Sequence, residues 1–394
     1  MFETLKPSPP DKIIELLEMF RADPRTEKLD LGVGVYKDAN GKTPVMRAVK
    51  AAEKRLLDTQ DSKSYVGILG DLEFVKLLGE LALGSSVPAD RIAGAQTPGG
   101  TGAIRQILEL IKRSNPAATV WYSDPTWPNH PAMLAHLGIP SRTYRYFDAA
   151  TGGVDFAAMM ADLVAMKPGD VLLLHGCCHN PTGANLTLEQ WAEVTDFVVK
   201  AGVVPFIDLA YQGFGDGLEA DAAGVRHMAA AVPEMLLAVS CSKNFGLYRD
   251  RVGAAIAISE TAEKSAITKA NLASLSRLNF SFPPDHGAKV VALILSDPAL
   301  KADWQAELES MRAGMLELRK GLANELRRAT NSDRFDFVGT HRGMFSRLGL
   351  SPEQVVKLRE DFGIYAVGDS RINIAGLPAQ GLGKLAAAIA SVES

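Results

Sequence analysis

Cysteine is scarce. Only Cys177, Cys178 and Cys241 occur in 394 residues, too few for a disulfide framework and in keeping with a reducing compartment. No apolar run approaches the ~20 residues that a membrane span needs. The opening Met1–Lys6 lacks the charged-then-apolar layout of a secretory signal, so a cytoplasmic location is expected. Basic blocks are missing as well. Lys and Arg number 42 against 46 Asp and Glu, a net charge of -4, which makes nucleic acid an unexpected partner. There is no internal repeat and no low-complexity tract. What remains is an ordinary globular composition, 47% hydrophobic, with enough length for two domains.

The stretch Ser240–Gly253 carries the most chemistry. Met235–Val239 is a run of small apolar residues and reads as a short buried strand. It ends in Ser240, Ser242, Lys243 and a glycine-punctuated loop containing Arg251. A buried lysine has a lowered pKa, and its neutral amine can attack a carbonyl to form a Schiff base. Arg251 offers a planar fork of donors suited to phosphate. A Schiff-base lysine, small hydroxyls and a phosphate arginine together suggest pyridoxal phosphate. A polar surface loop is the plain alternative, and the rest of the chain decides between them.

From the N-terminus, Pro7–Pro10 form a stiff opening, and Asp11 caps a helix with Ile13, Ile14, Leu16, Leu17 and Phe20 on one side. Leu29–Tyr36 reads as extended, and Thr43–Pro44 opens a helix through Leu57. The turn Gly99–Gly102 feeds a helical pattern over Ile104–Ile111. Such a helix N-terminus suits phosphate, although the Gly-Lys-Ser/Thr ending of a P-loop is missing and a simple turn is the other reading. Strands are expected at Ala118–Tyr122, Asp170–His175 and Val203–Ile207. Trp127, between two prolines, is either a stacking platform or a cap on the core. His175, Cys177, Cys178 and His179 invite a zinc reading, which is rejected because adjacent cysteines rarely ligate one ion and no second ligand cluster follows; no metal is expected. Thr187 with Gln190 forms a capping box, and Gly202 closes that helix. Asp208, at the end of a buried strand, needs a cationic partner, and a protonated pyridine nitrogen would be one. Beyond Arg277–Pro284 come a long helical region over Ala288–Ala329 with a bend at Asp297–Pro298, strands at Phe335–Val338, Met344–Leu348, Ile364–Val367 and Arg371–Ala375, and a capped helix from Ser351. Strands and helices alternate over about 92–260, with the suspicious loops just after strands, where ligands bind in an open α/β sheet.

Eight motifs in order resemble the fold-type I pyridoxal-phosphate aminotransferases, in the branch holding the aspartate and aromatic amino acid enzymes. They are Gly34-Val35-Tyr36, Tyr65-Val66-Gly67, Gly99-Gly100-Thr101-Gly102, Trp127-Pro128-Asn129-His130, His179-Asn180-Pro181-Thr182-Gly183, Asp208 through Gly213, Ser242 through Gly246, and Arg371 through Gly376. The resemblance implies an α/β fold. A large domain over 35–311 would hold a mostly parallel mixed sheet sandwiched by helices, and residues 1–34 and 312–394 would form a smaller α+β domain with an N-terminal arm. It implies that Lys243 holds pyridoxal 5'-phosphate as an aldimine and then moves a proton between the substrate Cα and the cofactor C4′. Asp208 would pair with the pyridinium nitrogen, with His130 orienting it from behind. Tyr211 and Asn180 would face the phenolic oxygen, and Trp127 would stack on the ring. Gly100, Thr101, Ser240 and Arg251 would form the phosphate cup, joined by Tyr65 from the other subunit of a homodimer with shared active sites. Arg371 would grip the substrate α-carboxylate with help from Asn180 and Gly34, and Phe345 would line the substrate side.

Arg277 matches the arginine that reaches over from the neighbouring chain to the distal carboxylate of aspartate, glutamate and 2-oxoglutarate. Phe282 is a departure: many aspartate-specific members carry asparagine there. An apolar ring adds surface that an aromatic side chain could bury, worth about 1–3 kcal/mol. The stretches Ser281–Lys289 and Thr143–Asp148 look most like bacterial aromatic amino acid aminotransferases, whereas Val35, Lys37, Thr43 and Thr101 follow the aspartate pattern. The expected function is therefore ping-pong transamination between aromatic amino acids (Phe, Tyr, Trp) or aspartate and 2-oxoglutarate. An aspartate aminotransferase with little aromatic activity is the alternative. Another pyridoxal phosphate activity on the same fold, such as a β-lyase or decarboxylase, and a non-catalytic binding module are rivals from other classes.

Overall fold

The computed structural model describes residues 1–7 and 11–393; of the stiff opening at Pro7–Pro10, all but Pro7 lies outside the described residues. In chain order its strands are β1 (Leu29–Asp30), β2 (Ile92–Pro98), β3 (Val120–Asp124), β4 (Ser141–Arg145), β5 (Phe147–Asp148), β6 (Gly153–Val154), β7 (Val171–His175), β8 (Val204–Leu209), β9 (Met235–Ser240), β10 (Val252–Ile258), β11 (Phe345–Arg347), β12 (Ile364–Tyr365) and β13 (Arg371–Asn373). The main sheet runs β2-β10-β9-β8-β7-β3-β4. Only β10 opposes its neighbours; the pairs β3–β4, β3–β7, β7–β8 and β8–β9 are parallel.

These strands are apolar almost throughout because both faces are covered. Val171, Leu173 and Phe206 pack with Ile104, Ile107 and Ile111 of the helix Gly99–Ser114 on one face. Leu172, Leu174, Ile207 and Leu209 pack on the other with Trp191, Val194 and Val225 of the helices Leu188–Ala201 and Leu218–Ala231. The expected α/β sandwich is what forms. Register matters for the site: His175 pairs with Asp208, Asp208 with Ala238, and Gly253 with both Ser240 and Thr97. Thus the carboxyl ends of the parallel strands and the start of β10 meet at one sheet edge.

A second apolar core joins the two ends of the chain. Leu29 and Leu31 pack with Leu322, Leu326, Leu358, Ile364, Ile372 and Ile389. Here β1 pairs in parallel with β12, and β11 pairs antiparallel with β13.

Local signals hold where a cap dictates them. Asp11 accepts from Ile13 and Ile14 N–H at the start of Lys12–Ala22. Both capping boxes form, at Thr187/Gln190 and Ser351/Gln354, and Gly202 ends its helix in the left-handed conformation. Other expectations need correction. The helix expected from Thr43 starts at Arg47 and runs to Thr59. The long helical region is two helices, His286–Ser296 and Pro298–Thr330, since Asp297 stops the first and caps the second through Ala299 and Leu300 N–H. Within Leu29–Tyr36 only Leu29–Asp30 pairs as strand, and Phe335–Val338 is no strand. That segment turns back on itself and enters the short helix Phe337–Thr340, with Phe335 O and Asp336 O accepting from Val338 and Gly339 N–H and Val338 O from a buried arginine described below.

Candidate active site

The shared sheet edge opens into a cavity of about 100 Å³ lined by Gly100, Thr101, Trp127, His175, Asn180, Asp208, Tyr211, Ser240, Ser242, Lys243 and Arg251. The amine of Lys243, in the loop after β9, has no hydrogen-bond partner among the described residues, and Nζ stands 5.0 Å from the centre of the Tyr211 ring. Burial lowers its pKa to about 8, against an opposing pull from Asp208, with Arg251 lowering it further. The neutral, nucleophilic amine is therefore far more accessible near neutral pH than that of an exposed lysine.

Asp208 is buried on β8. Burial pushes its carboxyl up, but the hydrogen bond from His130, with the nearby Lys243 adding to it, prevails, so its pKa ends below the usual value. His130 Nε2 lies 3.0 Å from Asp208 Oδ2, and Thr126 Oγ1 bridges His130 Nδ1 at 2.8 Å and His175 Nε2 at 3.1 Å. Burial drives the His175 pKa down to about 3, so its ring is neutral. One arrangement of protons satisfies the chain: His175 Nε2–H donates to Thr126, Thr126 O–H to His130 Nδ1, and His130 Nε2–H to Asp208. Asp208 stays anionic while facing the cavity.

Small residues leave the other end of the cavity open. A Cβ on Gly253 would stand 2.6 Å from the Gly99 carbonyl carbon and 2.6 Å from Val239 O, and one on Gly100 would meet the Ser240 side chain at 2.9 Å. The first N–H groups of the helix Gly99–Ser114 and the Arg251 guanidinium meet there, a combination suited to a phosphate. An anion-binding end, an aromatic wall at Trp127, an anionic Asp208 and a nucleophilic amine fit pyridoxal phosphate in every chemical group.

Arg371, at the start of β13, is buried beyond Asn180. Its Nη2 donates to Gly32 O at 2.8 Å and its Nη1 to Asn180 Oδ1 at 3.4 Å, while its Nε has no partner. The Asn180 amide reaches Tyr211 Oη at 3.5 Å. The Phe345 ring lies over the Arg371 guanidinium, 4.5 Å from its carbon, and against Gly34. Arg371, Asn180, Gly34 and Phe345 thus form a second, carboxylate-seeking end beside the first cavity.

Three candidate residues lie elsewhere on this chain. Tyr65 is 84% exposed and stacks on Phe282, with ring centres 4.7 Å apart. Arg277 lies 5.7 Å from the same ring and donates to Ser281. None of the three lines the cavity.

Sequence reasoning passed over Thr126, the link in the histidine chain, and assigned His175 no part beyond the rejected zinc site. It also passed over Tyr248, whose hydroxyl accepts from Tyr36 N–H at 3.0 Å and ties the lysine loop to the N-terminal segment. The links from Thr126 to His175 and from Tyr248 to Tyr36 join residues distant in sequence and leave no local signature. Among the described residues Cys177, Cys178 and Asp221 bring donor atoms within 4.8 Å of one another. Asp221 already accepts from Gly213, Gly215 and Asp216 N–H, and burial raises both thiol pKa values, together with the Cys178 hydrogen bond in the case of Cys177. No metal role is assigned to them.

The family model of aminotransferase class I and II matches residues 26–389. An aromatic-amino-acid aminotransferase of Paracoccus denitrificans is 58% identical, with all of both chains covered. An aspartate aminotransferase of Salmonella typhi is 44% identical, again over all of both chains. A solved structure of an aromatic-amino-acid aminotransferase from Burkholderia pseudomallei, covalently bound to pyridoxal phosphate, superposes with a TM-score of 0.97 at 42% identity, covering all of both chains.

Proposed function

The chain belongs to the class I and II aminotransferases and is a pyridoxal-phosphate-dependent transaminase, and from that premise we propose that it is an aromatic amino acid aminotransferase of dual specificity. It moves amino groups reversibly between aromatic amino acids or aspartate and 2-oxoglutarate. The observation that carries this reading is Arg277 beside Phe282. One recognition element offers a cation for a distal carboxylate and an aromatic face for a ring. The relatives' names support the same reading, aromatic first and aspartate second.

Bound pyridoxal phosphate supplies an aldehyde for the amino group and a ring that accepts the electron pair released at the substrate Cα. The protein's residues do the rest. Gly100, Thr101, Ser240 and Arg251 hold the phosphate. Trp127 covers one ring face. Asp208, kept anionic by His130, holds a proton on the ring nitrogen. Tyr211 and Asn180 orient the phenolic oxygen. Arg371 and the Gly34 backbone fix the substrate carboxylate so that the Cα–H bond faces Lys243, whose amine takes that proton and delivers it to the cofactor C4′.

Tyr65 and Arg277 act in the neighbouring site of a homodimer, Tyr65 on the phosphate and Arg277 on the distal carboxylate. Their exposure on one protomer supports this, as do the exposed Leu278 and Ile267 on the Arg277 helix. Residues 35–311 form the large cofactor domain, and 1–34 with 312–394 form the small one, in line with the two apolar cores. A cytoplasmic setting fits a chain in which no helix among the described residues is long and apolar enough to cross a membrane.

The test is a single-turnover half-reaction. Cofactor-loaded enzyme is mixed separately with phenylalanine and aspartate, and conversion to the pyridoxamine form is followed by absorbance. Comparable rates are expected. Fast conversion with aspartate and negligible conversion with phenylalanine would leave a plain aspartate aminotransferase.

A further inference from the structure

Arg319, on the helix Pro298–Thr330, is wholly buried and has no carboxylate partner among the described residues. Its donors all go to a single segment. Nη2 reaches Gly343 O and Phe345 O, each at 2.7 Å, and Nη1 reaches Ser346 Oγ at 2.7 Å and Val338 O at 3.1 Å. Nε adds a bond to Gly343 O at 3.2 Å. A buried charge held only by neutral oxygens is costly to build and collapses the acceptors around it. It serves here as the hub of residues 338–346.

The segment is also held by the pairing of Phe345 with Asn373, by Arg342 N–H donating to Gly183 O at 3.0 Å, and by His341. His341 Nε2 lies 2.6 Å from Gly152 O, and its Nδ1 lies 3.1 Å from Ser346 Oγ. A carbonyl only accepts, so Nε2 carries the proton and Nδ1 accepts from Ser346. The Ser346 oxygen is then free to accept from Arg319, and every donor has a partner. What this clamp fixes is Phe345, whose carbonyl meets Arg319 and whose ring rests against the Arg371 guanidinium. A Cβ on Gly34 would stand 2.9 Å from the tip of that ring, and one on Gly183 would stand 2.3 Å from Phe345 O. Phe345 therefore has little room in which to sit, and its ring packs on the Arg371 guanidinium, which also donates to Gly32 O and Asn180 Oδ1.

We propose that Arg319 is a positioning residue for amino acid binding: its fork to the 338–346 segment holds the Phe345 ring against Arg371, and so fixes the fork that takes the substrate carboxylate. This rests on the transaminase reading above and extends it to a residue that touches neither substrate nor cofactor.

A double-mutant cycle on the full-length, cofactor-loaded enzyme tests it. Arg319→Lys keeps a cation and loses the planar fork. It is expected to raise KM for both phenylalanine and aspartate on the order of 10-fold, with the cofactor absorbance and its pH titration unchanged. In a Phe345→Ala background the same substitution should change KM by less than about 2-fold, because the residue it positions is gone. An equal KM increase in both backgrounds would overturn the proposal, as would an unchanged KM accompanied by a lower kcat. If Arg319→Lys yields no soluble protein, Ser346→Ala, which cuts one arm of the clamp, goes through the same cycle under the same criteria. A wild-type enzyme that converts neither amino acid would fail the transaminase reading instead, a result the cycle cannot mimic.

Discussion

Asp208 Oδ2 and His130 Nε2 stand 3.0 Å apart in a buried pair, and that bond is what keeps a carboxylate ionised where burial opposes it. Without His130, burial acts with less opposition and the Asp208 pKa rises. His130→Ala should therefore move the acid limb of kcat/KM to higher pH and lower kcat by about 10-fold or more. A pH–rate profile of the variant checks this, and an acid limb in its original place would refute it.

Lys243 titrates at about 8 in the cofactor-free site. The neutral amine is the form that captures an aldehyde. Covalent uptake of pyridoxal phosphate by the apoenzyme should accelerate as pH rises through 8 and level off above it. Stopped-flow absorbance measures the rate. Lys243→Arg should abolish covalent uptake and reduce turnover on the order of 10²–10⁴-fold, since the proton carrier at Cα is lost.

Arg277 and Phe282 should separate the two substrate classes. Arg277→Ala removes a charge-assisted contact worth about 1.5–3 kcal/mol, and kcat/KM for aspartate should fall accordingly while phenylalanine stays within a few-fold. Phe282→Asn should act in the opposite sense, lowering kcat/KM for phenylalanine about 10-fold. Steady-state kinetics on both substrates decide, and equal damage to both by Arg277→Ala would sink dual specificity.

Two glycines should respond oppositely to alanine. Gly314 sits exposed in the middle of a long helix with nothing within 4 Å of a new Cβ, so Gly314→Ala should stabilise the protein by about 1 kcal/mol. At Gly253 the new atom would meet backbone 2.6 Å away on two sides, and backbone cannot swing aside. Gly253→Ala should be strongly destabilised and bind the cofactor weakly. Urea unfolding with and without pyridoxal phosphate distinguishes the two cases.

The cofactor edge was legible from the sequence because Asp208 and Lys243 come at or just after apolar runs that read as buried strands, and Asp208, Lys243 and Arg251 carry their chemistry in their type. The helix starts at Asp11, Thr187 and Ser351 were legible for the same local reason. Residues 335–338 were not: their apolar spacing suits a strand, but the carbonyl of Val338 bonds to Arg319, a partner on another element. Thr126 and Tyr248 escaped notice because a hydroxyl has no identity until its partners are in place. Arg277, Phe282 and Tyr65 were recognised by motif, and their grouping on the outer surface of the chain is something only the folded chain reveals.

The main sheet reverses direction once, at β10, and this has a consequence for the order in which the protein is made. The reversal lets one short connection carry both Lys243 and Arg251 to the same edge, so on the proposed reading both ends of the cofactor would be held by neighbouring stretches of chain. By contrast Gly34 waits for Phe345 and Arg371, because β1 has no partner until β12 exists. A chain emerging from the ribosome thus completes its cofactor cradle well before its substrate grip. Damage to the C-terminal part of the chain should leave a protein that still captures pyridoxal phosphate but cannot hold an amino acid against it.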